Sequence, residues 1–582
     1  MRPGLAHHAC PPRRSSVPHS RESRSPMTAR QTDFTPVIDL LREKGTGPIR
    51  ARRPVYVDLL PPCNNACPAG ENVQAWLDLA QAGKFREAWE TILRDNPLPA
   101  VHGRVCYHPC ETHCNRGQLD SAISIHAVER FLGDLAARQG WIAPITAAPS
   151  GKHVLVVGGG PSGLSAAYHL VRLGHSVEIR EAGPVAGGML HFGIPAYRLP
   201  RDDLMNEVHR IEAMGVKITL DHKVEDVLAE QRAGGFDAVF IAIGTQLGKR
   251  IEIPARDAAH VVDAITLLHA VETGDPPCLG RRVIVYGGGN TAIDAARTAR
   301  RLGADEALIV YRRDRAHMPA QAFETREALS EGIKIKWLST ITDIGAGELT
   351  VETMRLDPQG RPQPTGQFET LSADSVVLAL GQHSDSGFLR NVPGVAFTPD
   401  GSLVVDAGMM TGRPGIFAGG DLVAGERTVT AAVGHGKKAA RHIDAWLRPP
   451  IAQAAPQAGL KHPVVGFDQL NLPIFADAPR SVQRELPVAE RQDRGFTETT
   501  AGLSEAEARY EARRCLSCGN CFECDQCYAA CPEQAIVKLG PGQRYRFLYD
   551  RCTGCAVCFE QCPCHAIEMI AEPIRVASEP ST

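Results

Sequence analysis

The apolar positions of this chain fall into two rhythms. Between residues 37 and 148 they recur at helical spacing: Val73, Trp76, Leu77 and Ala80 occupy i, i+3, i+4 and i+7, which predicts an apolar stripe along one helix. From residue 152 onward the pattern changes to short unbroken apolar runs that end on glycine, as buried parallel strands do. His153–Val157 enters Gly158-Gly159-Gly160, a helical stretch follows from Leu164 to Leu173, and a second strand is predicted over Ser176–Arg180. The same design recurs at Arg282–Tyr286, with Gly287-Gly288-Gly289, a helix through Leu302 and a strand over Ala307–Tyr311. Phe236–Thr245, Ser375–Gly381 and Gly415–Asp421 are three further strand-to-glycine segments. Their order implies an α/β domain that is interrupted by a second one and resumes after it.

Each glycine turn carries chemistry. The first reads G-x-G-x-x-G at Gly158, Gly160 and Gly163, with Pro161 and Ser162 opening the helix, and Glu181 lies 18 residues beyond the last glycine. Glycine at these positions permits a tight turn and close approach of a pyrophosphate to a helix N-terminus, while the acid accepts hydrogen bonds from a ribose. A strand, turn, helix and acid in register point to a Rossmann-like site far more strongly than the glycines alone. The second turn has Gly287, Gly289, Asn290 and Thr291, with Ala292 as the permitted third small residue. Its next strand ends in Arg312-Arg313 where an acid would mark NAD, so a 2′-phosphate and hence NADP(H) is expected there. Two such folds in one chain usually mean a flavin site and a nicotinamide site. Gly244, Gly420 and Asp421 would then complete the first, Asp421 holding a ribityl hydroxyl.

The cysteines narrow the picture further. Cys521, Cys524, Cys527 and Cys531-Pro532 are followed about thirty residues later by Cys552, Cys555, Cys558 and Cys562-Pro563. C-x2-C-x2-C-x3-C-P written twice is the ligand pattern of a two-cluster [4Fe-4S] ferredoxin, whose fourth Cys in each run ligates the other cluster. Zinc sites use two separated pairs instead. Cys63, Cys67, Cys106, Cys110 and Cys114 punctuate the helical N-terminal region, and iron–sulfur ligation suits such clustering better than inert thiols. Cys10, Cys278 and Cys564 fit no site and read as spare.

At 582 residues, 43% of them hydrophobic, the chain is long enough for roughly three to four domains. Its 63 basic and 66 acidic residues leave a net charge of −3, which excludes the basic footprint of a nucleic-acid binder. No run of about twenty apolar residues predicts membrane insertion. Arg13-Arg14 lacks the hydrophobic segment an export signal needs, so the first 36 residues read as a disordered tail and Met27 as an alternative start. Eighteen cysteines without such a signal read as metal ligands of a cytoplasmic protein.

Taken together, these motifs resemble the small, flavin-containing subunit of NADPH-dependent glutamate synthase. The same module occurs in dihydropyrimidine dehydrogenase and in related NAD(P)H:acceptor oxidoreductases. The resemblance spans residues 37 to 448. It rests on Cys63-x3-Cys67-Pro68, on Gly103-Arg104-Val105-Cys106-x3-Cys110-Glu111-x2-Cys114 and on both glycine turns. Gly187-Gly188-Met189 with Phe192-Gly193-Ile194-Pro195, and Tyr311-Arg312-Arg313 with Met318-Pro319-Ala320, add to it. So does Gly419-Gly420-Asp421 through Gly434-His435-Gly436. Members with an appended ferredoxin look most similar to the whole chain. The resemblance implies FAD held partly by Gly188, NADPH on the second fold, and Glu129 at a position where Glu or Gln serves as a cluster ligand. One departure matters: the family's R-C-x2-C about eight residues before Cys63 is missing from Arg53–Leu60, whereas Arg514-Cys515-x2-Cys518 has that form. Either Cys515 and Cys518 return to join Cys63 and Cys114, with Cys67, Cys106, Cys110 and Glu129 forming a second set, or one N-terminal cluster is lost.

The expected fold is therefore multidomain α/β. A disordered tail (1–36) precedes an all-α iron–sulfur domain (37–148), a first FAD segment (149–257), an NADPH domain (258–382) and a second FAD segment (383–448). A linker (449–510) leads to an α+β bacterial-type ferredoxin domain (511–582). The expected function is transfer of electrons from NADPH through FAD to [4Fe-4S] clusters, and on to a ferredoxin-type acceptor or partner subunit of the 2-oxoacid:ferredoxin oxidoreductase or glutamate synthase kind. A true glutamate synthase small subunit and a non-catalytic electron-carrier scaffold are the alternatives. No catalytic side chain is nominated, because hydride transfer between cofactors needs positioning rather than an acid or base.

Overall fold

The computed structural model describes residues 50–248, 260–448 and 462–572. The tail expected over 1–36, with Cys10 and Met27, lies outside them. The chain divides into two compact units.

The larger unit, Val57–Cys524 with Cys562–Ala566, holds two five-stranded parallel sheets. The first has the order Ile416–Ala418, Ala238–Ile241, His153–Val157, Ser176–Arg180, Lys217–Thr219. Its central strands, Ala238–Ile241 and His153–Val157, read as nearly unbroken apolar runs because helices cover both faces. The late strand Ile416–Ala418 lies parallel to Ala238–Ile241, so the chain leaves this sheet and comes back to it. Between departure and return it builds the second sheet, ordered Lys334–Lys336, Glu306–Val310, Arg282–Tyr286, Ser375–Leu378, His260–Asp263. A three-stranded antiparallel ribbon, Ser339–Ile344, Glu348–Leu356 and Pro362–Ser372, grows out of this fold and was not anticipated.

The helical region packs Val73, Trp76, Leu77 and Ala80 of the helix Val73–Gln81 into one core with Val128 and Leu132 of the helix Ile125–Gln139. The same core accepts Leu503, Ala508 and Ala512. The last two lie on the helix Glu505–Arg513, which Ser504 starts with a capping box to Glu507. The stretch 449–510 expected as a linker is thus, over its described part, a packed strap. Arg480 reaches Glu111 at 2.6 Å, the Thr499 N–H donates to the Tyr197 carbonyl at 3.0 Å, and Arg491 pairs with Glu331 at 3.1 Å. Buried alanines and charge pairs make these contacts, so no strong apolar period advertises them. The expected ferredoxin boundary at 511 is also displaced, since Cys515 and Cys518 sit against helical-region and strap residues.

The smaller unit comprises, among described residues, 50–56, 525–561 and 567–572. It pairs Arg52–Tyr56 antiparallel with Ile567–Ala571 and contains the short helices Gln526–Ala530 and Val557–Glu560. The strand Arg52–Tyr56 falls within the span expected to be all-helical. Its side chains explain the difference: Tyr56 packs on Phe547 with ring centroids 5.0 Å apart, Arg53 lies 4.8 Å from the Tyr549 ring, and Arg50 forks onto Glu572 at 2.6 and 2.8 Å.

Candidate functional site

The glycines of the first turn do different jobs. A Cβ on Gly158, whose φ is +103°, would meet the Ala242 carbonyl oxygen at 2.6 Å, and one on Gly163 would meet the Gly158 oxygen at 1.9 Å. These two let helix and strands pack closely. A Cβ on Gly160 would meet nothing within 4 Å. Gly160 instead opens space over the start of the helix Pro161–Arg172, which has no side-chain cap to compete for its first N–H groups. That open, donor-rich cradle fits a dinucleotide pyrophosphate. Glu181 lies beneath it, accepting the N–H of Gly159 at 2.6 Å and of Gly183 at 2.8 Å. Gly188, Gly244, Gly420 and Asp421 line the same pocket as Gly160 and Ser162. Burial raises the Asp421 carboxyl above its ordinary range.

The second turn repeats the arrangement. A Cβ on Gly287 (φ +153°) would meet the Ala379 oxygen at 2.2 Å, Gly289 is open, and buried Ala292 takes the third position. Asn290 begins the helix Asn290–Arg301, accepts the Gln321 N–H at 2.8 Å and donates to the Tyr107 hydroxyl at 2.6 Å. Asn290, Thr291 and Asp294 face the pocket that Gly160 and Gly420 line, so both folds contribute to one cavity. Arg312 and Arg313 stand apart from it, just past the strand Glu306–Val310. Arg312 is exposed, whereas Arg313 is half-buried and its Nε has no partner.

Sequence reasoning missed the polar contacts that join the folds. Arg198 binds Asp294 at 2.7 Å and also contacts Glu324. Burial pushes the Glu324 carboxyl up to about 7. The helical spacing of Asn290 and Asp294, four residues apart, was the available signal for Asp294. Tyr107 and Arg198 offered none.

The thiols gather in groups. Cys63, Cys114, Cys515 and Cys518 line one pocket with Leu77, Ile123 and Ile125. Burial, and then the neighbouring charge of Cys515, Cys114 and Cys518, pushes the Cys63 thiol well up. The segment that delivers Cys515 is anchored: Ser517 accepts from Gln74 at 2.8 Å, and buried Arg514 bonds Glu511 at 2.9 Å and Asp120 at 3.2 Å. The Asn115 amide donates to Cys518 Sγ at 3.5 Å. Four adjacent thiols, one buried and three half-buried, would hold their protons unless a cation offset the charge, which fits an iron–sulfur group.

Cys67, Cys106, Cys110 and Glu129 form the second neighbourhood. Burial raises Cys110, with Glu111, Cys106, Cys67 and Glu129 adding to the effect. Burial likewise pushes Cys106 up to about 12, opposed by a hydrogen bond from Thr430. Glu129 is tied elsewhere as well: Asn96 donates to it at 2.8 Å and to Glu71 at 3.0 Å, and lies 2.7 Å from His102 Nδ1. Burial and then Glu71 push the Glu129 carboxyl well up.

In the smaller unit Cys531 shares a pocket with Cys552, Cys555 and Cys558, the crossed grouping of the two-cluster pattern. Cys527 is buried in that unit. In the larger unit Cys562 lies near Cys564, with Sγ atoms 3.8 Å apart, and Cys521 and Cys524 act electrostatically on Cys564. Cys564, read as spare, therefore stands beside thiols of both ferredoxin runs, and its hydrogen bond pulls Cys562 down to about 6. Cys278 is exposed and distant from any of these groups in sequence.

Backbone conformation marks the same loops. Among the described residues ten non-glycines have positive φ. Seven of them, His108, Ser517, Glu523, Asp525, Gln534, Ala556 and His565, lie between or within three residues after cysteines of these motifs. Left-handed non-glycine residues are uncommon and concentrate where a ligand shapes the loop.

Three family models match the chain. Pyridine nucleotide-disulphide oxidoreductase covers residues 152–436; dihydropyrimidine dehydrogenase domain II, 4Fe-4S cluster, covers 44–141; and a 4Fe-4S dicluster domain covers 520–566. The chain is 38% identical over 499 residues to the NADP(+)-dependent formate dehydrogenase subunit beta of Moorella thermoacetica, spanning 78% of this chain and 70% of that one. It is 34% identical over 505 residues to the NADPH-Fe(3+) oxidoreductase subunit beta of Geobacter sulfurreducens, with 78% and 75% covered. The glutamate synthase [NADPH] small chain of Escherichia coli is 32% identical over 458 residues, with 73% and 96% covered.

Proposed function

The chain belongs to the glutamate synthase small chain-like family of NADPH-dependent flavin and iron–sulfur oxidoreductases, and from that premise we propose that it is the electron-input subunit of a larger cytoplasmic complex. The observation that carries this reading is the single cavity lined by both glycine turns, which lets two dinucleotides bring their reactive rings together. FAD held there would supply hydride acceptance from NADPH and release of single electrons, and [4Fe-4S] clusters at the cysteine groups would supply single-electron carriage.

The chain's own residues do the placing. Gly160 and the uncapped N–H groups after it receive the FAD pyrophosphate, Glu181 meets the ribose, and Asp421 with Gly188, Gly244 and Gly420 holds the rest. Gly289, Asn290 and Thr291 receive the NADPH pyrophosphate, and Arg312 with Arg313 selects the 2′-phosphate. Tyr107, through Asn290, fixes the helix start that bears the nicotinamide nucleotide. Cys63, Cys114, Cys515 and Cys518 hold one cluster; Cys67, Cys106, Cys110 and Glu129 hold a second. Cys531 with Cys552, Cys555 and Cys558 holds one ferredoxin cluster, and Cys521, Cys524 and Cys562 supply ligands to the other. No described helix is long and apolar enough to cross a membrane. The partner is an acceptor subunit of the formate dehydrogenase, metal-reductase or glutamate synthase kind.

Anaerobic addition of NADPH to the purified chain should bleach its flavin absorbance, and no bleaching would favour a scaffold. The R312E/R313E double substitution should move the preference towards NADH by roughly tenfold or more, about 1.4 kcal/mol of lost phosphate binding. An unchanged NADPH/NADH ratio would remove these arginines from the site. Pull-down from native cells, with subunits identified by mass, names the partner.

A further inference from the structure

The helix Val429–Leu447 starts between two pockets. Thr428, its cap, accepts the Ala431 N–H at 3.1 Å. Thr428, Val429 and Ala432 line the cavity shared by Gly160 and Gly420. Thr430 lines an adjoining pocket with Cys106 and Pro68, and Thr428, Val429 and Tyr107 line both pockets. Thr430 is 4% exposed, and its hydroxyl donates to Cys106 Sγ at 3.1 Å. The first turn of this helix therefore lies against both the flavin cavity and a thiol of the Cys67, Cys106, Cys110 group.

Packing alone does not ask for a hydroxyl here. Valine has nearly the same shape, and an unpaired buried hydroxyl costs about 1–3 kcal/mol. A threonine within a helix commonly bonds the carbonyl four residues back, but at the second helical position that carbonyl lies outside the helix. The hydroxyl goes to sulfur instead. Cys106 Sγ also accepts the His108 N–H, at a longer 3.4 Å. A donor on a ligand sulfur stabilises the more negative, reduced state of an iron–sulfur group and so raises its potential.

We infer that Thr430 is a positioning residue for electron transfer, setting the reduction potential of the cluster held by Cys106 so that this cluster is the one that draws electrons from the flavin cavity. This rests on the proposed role of Cys106 as a ligand.

The test is an anaerobic redox titration of the full chain followed by electron paramagnetic resonance, with iron and flavin content measured on each sample. In T430V one cluster signal should lose roughly tenfold in its reduced-to-oxidised ratio at fixed potential, which is about 59 mV more negative for one electron. T430S should titrate as the unsubstituted protein does. NADPH should bleach the flavin of T430V to the same extent, with slower return of electrons to the clusters. Unchanged cluster potentials in T430V, with full iron and flavin, would overturn the inference. Loss of iron from both T430V and T430A would overturn it too, since the hydroxyl would then hold the group rather than tune it. The underlying ligand assignment is read separately: C106S should lower the iron content, and a C106S protein with full iron and unaltered signals would sink that assignment and the inference with it.

Discussion

Gly158, Gly160 and Gly163 differ only in what surrounds them, and that difference has measurable consequences. At Gly163 a methyl group would collide with backbone. G163A should lose about 1–3 kcal/mol of stability and its flavin, as overpacked sites do. At Gly160 the same methyl would enter open space. G160A should unfold within about 0.5 kcal/mol of the parent yet retain less flavin after gel filtration. Denaturant unfolding distinguishes the two, and full flavin retention in G160A would remove the pyrophosphate from Gly160. At this scale the glycine roles were legible, because turn geometry is local. Tyr107, Arg198 and Thr430 were not, because their partners Asn290, Asp294 and Cys106 lie far along the chain. Cys564, which falls just after the second C-x2-C-x2-C-x3-C-P run and fits no ligand position in it, is folded against Cys562.

Elements were read best where burial on both faces writes an unbroken apolar run. The strands His153–Val157 and Arg282–Tyr286 have the predicted ends, and the predicted Ala307–Tyr311 lies one residue along from the observed Glu306–Val310. The strap was invisible because charge pairs and alanines hold it. Glu331 illustrates this. It follows the helix Ala322–Ser330 and accepts from Arg297 at 2.7 and 3.0 Å, Arg301 at 2.9 Å and Arg491 at 3.1 Å, joining three helices. Burial alone would raise its carboxyl, but the hydrogen bonds from Arg297 and Arg301 outweigh it and lower the folded value from 4.5 to about 2. The unfolded chain therefore binds the proton first. The stabilisation is complete above 4.5 and drains away as the pH falls towards 2. E331Q should lose about 3–5 kcal/mol near neutrality, by stranding buried arginines, and show a flatter decline in that acid window. An unaltered acid slope in urea titrations would mean Glu331 is not what the strap depends on.

At the scale of the molecule, the interrupted order of the two dinucleotide folds was readable because each strand-to-glycine segment announces itself. The distribution of metal sites was only half readable, since spacing says which cysteines are close in sequence and nothing about which return from afar. If both N-terminal groups and both ferredoxin groups are filled, iron analysis should give about sixteen atoms per chain. A512D, which puts a charge into the core beneath Cys515, should drop the figure to about twelve while flavin content holds. A parent value near twelve would instead mean that one N-terminal cluster is absent.

The pocket of Cys63, Cys114, Cys515 and Cys518 also imposes a timetable on biosynthesis. Its first and last thiols, Cys63 and Cys518, leave the ribosome well apart in time because they lie far apart in sequence. A product that ends before Cys515 would lack half of that thiol set, however well its dinucleotide folds have formed.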